Sequence, residues 1–202
     1  MASCSYLALG DSYTIGEQVL LADSFPYQSV QLLRRKNRKF DFNAPEIIAK
    51  TGWTTDELAA AIGQTTLLSK YDFVSLLIGV NNQYRGRTVE NYKEEYESLL
   101  QKAIQFSGNE PRHVFVLSIP DWGITPFAAE RDSSTIAKEI DAYNSACKII
   151  TEGLHCHFID ITTSLRIDGR QTDFLAADGL HPSGKEYAKW AVQLSEAVSL
   201  NL

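Results

Sequence analysis

The sequence predicts an α/β domain: a parallel sheet of about five strands with helices on both faces. Two observations carry that expectation. Short strand-like runs alternate with helical patterns along the chain, the order produced by repeated strand–helix–strand units. The first of these runs is apolar throughout and the third is apolar at Phe73, Val74, Leu76, Leu77 and Ile78, rather than at every second position, as befits strands buried on both faces. At 202 residues, with no internal repeat, low-complexity tract or Pro/Gly/Ser-rich linker, the chain reads as one domain over 1–202.

In chain order, Tyr6 to Leu9 is the first strand, and Gly10 lets the backbone turn where it stops. Ser24 and Pro26 open a helix that reaches Lys36. Arg34, Arg35, Lys36, Arg38 and Lys39 at its end read as solvated cations that complement the helix dipole. Glu46 to Ala49 is the second strand, followed by Lys50-Thr51-Gly52-Trp53. Thr54-Thr55-Asp56-Glu57 matches a capping box and starts a helix toward Gln64. Tyr71 to Ile78 is the most apolar strand, and it stops at Gly79-Val80-Asn81-Asn82. A long helix from Thr88 to Phe106 places Val89, Tyr92, Tyr96, Leu99, Ala103 and Phe106 on one face. His113 to Ser118 is the fourth strand, stopped by Pro120-Asp121-Trp122-Gly123. A helix from Ser133 to Glu152 buries Ile136, Ile140, Tyr143, Cys147 and Ile150, and Phe158 to Asp160 is a short fifth strand. Phe174 to Pro182 is a loop by its glycine and proline. Ser183-Gly184-Lys185-Glu186 reads as a second capping box, opening a last helix with Tyr187, Trp190, Ala191, Leu194 and Val198 inward.

Composition narrows the function. With 44% hydrophobic and 22% charged residues the chain is an ordinary globular sequence, and its net charge of -6 argues against nucleic acid or an anionic membrane as partner. No run approaches the roughly 18 apolar residues of a membrane span. The odd count and wide spacing of the three cysteines, Cys4, Cys147 and Cys156, do not resemble a disulfide framework, and they read as buried small hydrophobes. The first strand begins too close to Met1 to leave room for a signal peptide. The expectation is a cytoplasmic protein if Met1 is the natural start, and a secreted or periplasmic one if a leader preceded it. The sequence yields no oligomeric state.

Four segments carry chemistry. Ser12, Gly52 and Asn81 each follow a strand, and carboxyl ends of parallel strands lie on one side of a sheet. The final loop adds Asp178 and His181. A serine hydroxyl is a weak nucleophile until a base takes its proton, and histidine serves as such a base near neutral pH. A carboxylate must then fix the ring tautomer, and Asp178, three residues before His181 with Gly179 between, is placed to do so. The backbone N–H of Ser12, the N–H of Gly52 and the side-chain amide of Asn81 are candidate donors to an oxyanion. Taken singly, each residue reads as well as a turn or capping residue; their order and placement favour a nucleophile–base–acid site.

This pattern resembles the SGNH, or GDSL-type, hydrolases. Gly10-Asp11-Ser12 matches the first block of that family, with Tyr13 where leucine is common. Gly52 matches the second, Gly79-Val80-Asn81-Asn82 the third, and Asp178-Gly179-Leu180-His181 the last, so the resemblance runs from Leu7 to the final helix. The resemblance implies a flavodoxin-like, three-layer α/β/α sandwich and metal-free, cofactor-free hydrolysis of esters or thioesters. It also implies Ser12 as nucleophile, His181 as base, Asp178 as orienting acid, and Ser12, Gly52 and Asn81 as oxyanion donors. Asn82 departs from the aspartate of the third block.

Other residues compete for roles. Trp53, Asn82, Tyr84, Trp122 and Phe174 are candidates to line a pocket for an acyl chain or a sugar ring. Arg85 and Arg87 read as solvated rather than as receptors for an anionic group. His155-Cys156-His157 holds metal-ligand residue types but lacks the four-ligand set of a zinc site. Asp160 and Asp168 give way to Asp178 as the acid because of its local spacing to His181. The expected activity is a serine esterase acting on a small-molecule ester. Short-acyl or carbohydrate O-acetyl esters are favoured, because no long apolar lid segment is visible. The alternatives are a lysophospholipase or thioesterase for longer chains and, in another class, a flavodoxin-like binding module without catalysis. No Gly-x-Ser-x-Gly surrounds Ser12, which disfavours the α/β-hydrolase fold.

Overall fold

A computed structural model describes residues 2–37 and 39–202, so Met1 and Arg38 of the basic cluster lie outside the described residues. The chain forms β1 (Ala2–Cys4), β2 (Tyr6–Asp11), α1 (Ser12–Ile15), α2 (Phe25–Lys36), β3 (Phe40–Phe42), β4 (Glu46–Lys50), α3 (Thr55–Gln64) and β5 (Phe73–Leu77). It continues with α4 (Val80–Tyr84), α5 (Val89–Phe106), β6 (Val114–Leu117), α6 (Ser133–Gly153), β7 (His157–Ile159), α7 (Thr162–Asp168) and α8 (Gly184–Asn201).

The main sheet has five strands in the order β4-β2-β5-β6-β7, and every neighbouring pair is parallel. Helix α2 packs against α8, while α5 packs against α3 and α6, so helical layers cover both faces. This is the expected three-layer sandwich with flavodoxin-like order. The order reverses between β2 and β5, and the crevice at their carboxyl ends is where open α/β sheets bind ligands. Ser12 follows β2 and Asn81 lies four residues beyond the end of β5, in the first turn of α4, so both stand at that reversal.

Burial explains why these strands form. All of β2 and β5 is buried, and each fully buried Leu or Val there contributes about 1.5–3 kcal/mol of transfer free energy. Tyr6 stacks on Phe73 across the β2–β5 pair at 4.2 Å between ring centroids, and its hydroxyl is paired with the Ser75 hydroxyl at 2.7 Å. All five predicted inward residues of α8 (Tyr187, Trp190, Ala191, Leu194 and Val198) are buried.

Two features differ from expectation. A separate two-stranded parallel sheet joins β1 to β3, and short helices α1, α4 and α7 fill segments that read as loops; elements of three to seven residues carry too little periodicity to be read. Glu186 does not close a capping box. Ser183 Oγ accepts from the Lys185 N–H at 3.3 Å, but the Glu186 carboxylate is fully buried, accepting from Ser164 Oγ and Trp190 Nε1 and pairing with Lys189 at 3.0 Å. Burying that carboxylate is tolerable only because it is paired. The first box does form at Glu57, whose carboxylate accepts from the Thr54 N–H at 2.9 Å.

Candidate active site

Ser12 is the first residue of α1, placed there by Asp11. The Asp11 backbone is extended (φ -127°, ψ -150°) and its Oδ1 accepts from the Tyr13 N–H at 3.0 Å, capping the turn. Asp11 is wholly buried, and that burial pushes its carboxyl up to about 7.

His181 Nε2 lies 3.0 Å from Ser12 Oγ, and His181 Nδ1 lies 2.6 Å from Asp178 Oδ2. That geometry assigns the Nδ1 proton to the carboxylate side and leaves Nε2 to accept from the serine hydroxyl. The other carboxylate oxygen of Asp178 accepts from the N–H groups of Leu180 and His181, each at 3.0 Å. Partial burial raises the Asp178 carboxyl, but the His181 ring and these two backbone donors outweigh it and hold the group below its usual range. Gly179 makes the turn with φ +65°, which glycine adopts without penalty. The loop is tied down by Ala176 N–H to His181 O (2.8 Å) and by Phe127 N–H to Gly179 O (3.1 Å). The Tyr13 ring flanks His181, with centroids 5.1 Å apart.

The Gly52 turn stands beside this pair. Gly52 has φ +82°, and among the described residues its N–H finds no protein acceptor. Its carbonyl accepts from Arg85 Nη2 at 2.5 Å. Asn81 Nδ2 donates to Trp53 O at 3.0 Å and lies 3.5 Å from Asp11 Oδ2. The Asn81 amide is therefore at the site, with one N–H holding the Gly52 turn and the other facing Asp11 over a long, weak contact. Thus Ser12, Gly52, Asn81, Asp178 and His181 come together from four separate segments. Among the described residues, no three His, Cys, Asp or Glu side chains gather in a way that could hold a metal ion.

A cavity of about 190 Å³ opens on Ser12, Gly52, Asn81 and His181. Its walls include Tyr84 and Trp122, as expected, and also Val80, Phe127 and Leu180. Three expected lining residues are elsewhere. Asn82 is fully buried; its Oδ1 accepts from the Thr55 N–H (3.1 Å) and its Nδ2 donates to Thr55 Oγ1 (2.6 Å), pinning α4 to the start of α3. Trp53 turns its ring onto the core and offers the site only its carbonyl. Phe174 lies under Lys189, whose Nζ is 4.0 Å from the ring centroid. Sequence reasoning missed Phe127 and Leu180, although Leu180 sits inside the Asp178–His181 motif. A larger open cleft of about 450 Å³ around Asp141 and Arg166 contains none of the predicted site residues.

Residues 8–189 match the model of the GDSL-like lipase/acylhydrolase family. No curated protein matches the sequence. Among solved structures, the lipase/acylhydrolase from Enterococcus faecalis is similar at 20% identity and TM-score 0.74, covering 98% of this chain and 95% of that one. The acetylxylan esterase Axe2 from Geobacillus stearothermophilus is similar at 19% identity and TM-score 0.73, covering 98% and 96%. The psychrotrophic esterase EstA from Pseudoalteromonas sp. is similar at 15% identity and TM-score 0.69, covering 97% of each chain. At these identities the structures speak for the shared fold, while the family match spans nearly the whole sequence. The chain belongs to the GDSL-like lipase/acylhydrolase family and is a hydrolase of ester bonds.

Proposed function

We propose that residues 1–202 form one catalytic domain, a serine esterase for carboxylic esters with small acyl groups, short-acyl or carbohydrate O-acetyl esters above all. The observation that supports it most is the continuous chain Ser12 Oγ–His181 Nε2–Asp178, with separations of 3.0 and 2.6 Å. In this reading His181 takes the Ser12 proton as Oγ bonds to the ester carbonyl carbon. The negative charge passes to the carbonyl oxygen, which faces the N–H groups of Ser12 and Gly52 and the amide of Asn81. Collapse breaks the bond to the alcohol oxygen, which leaves with the proton from His181. Water then repeats the sequence on the acyl-Ser12 intermediate and releases the acid.

The acyl preference rests on the cavity. About 190 Å³ walled by Trp122, Phe127 and Val80 suits a small acyl group better than an extended chain. Axe2, which its name describes as an acetylxylan esterase, has the same fold and is consistent with that preference. Initial rates over p-nitrophenyl esters from acetyl to dodecanoyl test it. The expected maximum is at acetyl to butyryl; a maximum at long chains supports the lysophospholipase or thioesterase reading instead.

A further inference from the structure

In the proposed reaction Gly52 meets two demands that pull apart. Its φ of +82° and bare Cα let its N–H face the cavity, yet glycine is also the residue whose backbone moves most freely. An oxyanion donor is most effective when it is already aimed as charge develops, because a donor that must swing into place loses part of its effect to reorganisation. The Gly52 turn therefore needs ties from outside itself.

Those ties come from α4 and α3. Trp53 N–H donates to Lys50 O at 3.2 Å and Arg85 Nη2 donates to Gly52 O at 2.5 Å, so the peptide joining Gly52 to Trp53 is held at both of its polar atoms. Anchoring that peptide restrains ψ of Gly52, one of the two rotations by which the Gly52 N–H could turn away. The next carbonyl, Trp53 O, accepts from Asn81 Nδ2 at 3.0 Å. Arg85 N–H donates to Asn81 O at 3.0 Å, so the side chains that grip these successive carbonyls stand one helical turn apart, on a shared face. The guanidinium is fixed in its turn by Glu57. Its Nη2 lies 3.3 Å from Glu57 Oε2, the oxygen that also accepts from the Thr54 N–H at 2.9 Å.

Arg85 is not among the residues that line the cavity at Ser12, so any effect it has on the reaction passes through Gly52. Its side chain is 44% exposed and yet reaches back to a backbone carbonyl of the site. Arg87, two residues on, is the contrast: its guanidinium pairs with Asp56 at 2.7 Å and Glu95 at 3.4 Å, on α3 and α5. We propose that Arg85 is a positioning residue for ester hydrolysis, its guanidinium holding the Gly52 turn so that the Gly52 N–H stays aimed at the oxyanion. The proposal rests on the serine esterase reading and adds to it a residue outside the cavity that sets the aim of one donor.

The test is steady-state hydrolysis of p-nitrophenyl acetate by wild-type protein, Arg85→Ala, Arg85→Lys and Arg87→Ala, with circular dichroism to establish that each is folded. Arg85→Ala is expected to lower kcat about tenfold to a hundredfold with KM within about twofold, because a donor misplaced by about 1 Å weakens the transition state and not ground-state binding. Arg85→Lys is expected to recover part of that loss: an ammonium still donates to Gly52 O but lacks the planar fork that also grips Glu57. Arg87→Ala is expected to stay within about twofold of wild type in both constants, the scale of a change away from the reaction. Should Arg85→Ala unfold, Arg85→Met, which keeps the apolar stem and loses the donors, takes its place with the same expectation. An Arg85 variant within twofold of wild type in kcat when its donors are gone, a loss confined to KM, a lysine variant no better than alanine, or an equal loss in Arg87→Ala overturns the positioning role while leaving the esterase intact. Wild-type protein that does not hydrolyse the ester overturns the esterase reading and this proposal with it.

Discussion

The Asp178 carboxylate makes three hydrogen bonds within a span of four residues: to the His181 ring at 2.6 Å and to the Leu180 and His181 N–H groups at 3.0 Å each. One side chain thus shapes the turn and orients the imidazole it carries. Asp178→Asn keeps the backbone acceptor but loses the charge that selects the tautomer. Its kcat is expected to fall by about 10³–10⁴ with the fold retained. Steady-state kinetics with circular dichroism check it, and a loss under tenfold contradicts the role.

Asn81 is committed to Trp53 O through one N–H, so its service to an oxyanion depends on the other, now facing Asp11 at 3.5 Å. Asn81→Ala removes that donor. The expected loss is about 10²–10³ in kcat with KM nearly unchanged. A loss confined to KM instead assigns Asn81 to ground-state binding.

Asp11 predicts a pH dependence of stability. Its folded carboxyl, raised to about 7 from a reference of 3.8, holds a proton that the unfolded chain releases. The folded state therefore binds more protons between those values, and this group's contribution to stability falls as pH rises from about 4 to about 7, then levels off. Asp11→Asn keeps an acceptor for the Tyr13 N–H and removes the titration. Urea denaturation at pH 5 and pH 8 is expected to show the variant gaining on the wild type at the higher pH. Parallel behaviour contradicts it.

Asn82 is structural in this arrangement. Asn82→Ala leaves the buried Thr55 N–H unsatisfied and takes a donor from the Thr55 hydroxyl, which keeps its bond to Glu95, and is expected to cost about 1–3 kcal/mol of stability, measured by denaturant midpoint. The acyl-length profile is expected to stay as in the wild type, because Asn82 does not reach the cavity.

The central strands were legible because they are largely apolar runs with a glycine at or just after their ends, as at Leu9-Gly10 and Ile78-Gly79, while the flavodoxin-like arrangement was implied by the family resemblance. The convergence of Ser12, Gly52 and Asn81 followed from parallel strands alone. What could not be read is side-chain direction in short elements. Trp53 and Phe174 occupy the right segments but turn away, and Asn82 faces α3 because α4 is a helix rather than a loop. Phe127 enters the cavity through a turn whose N–H is bonded to Gly179 O, a contact between segments 52 residues apart that no local pattern encodes. Glu186 fitted a capping box by spacing, yet Ser164 and Trp190 offered its carboxylate a better buried arrangement.

The nucleophile assignment is tested most directly by treating wild-type and Ser12→Ala protein with a fluorophosphonate and reading both intact mass and p-nitrophenyl acetate hydrolysis. A Ser12 nucleophile predicts one covalent adduct, mapped to Ser12, and loss of hydrolysis in wild type. It predicts no adduct and no more than residual hydrolysis in a folded Ser12→Ala variant. An adduct on the variant, or undiminished hydrolysis by it, contradicts the assignment.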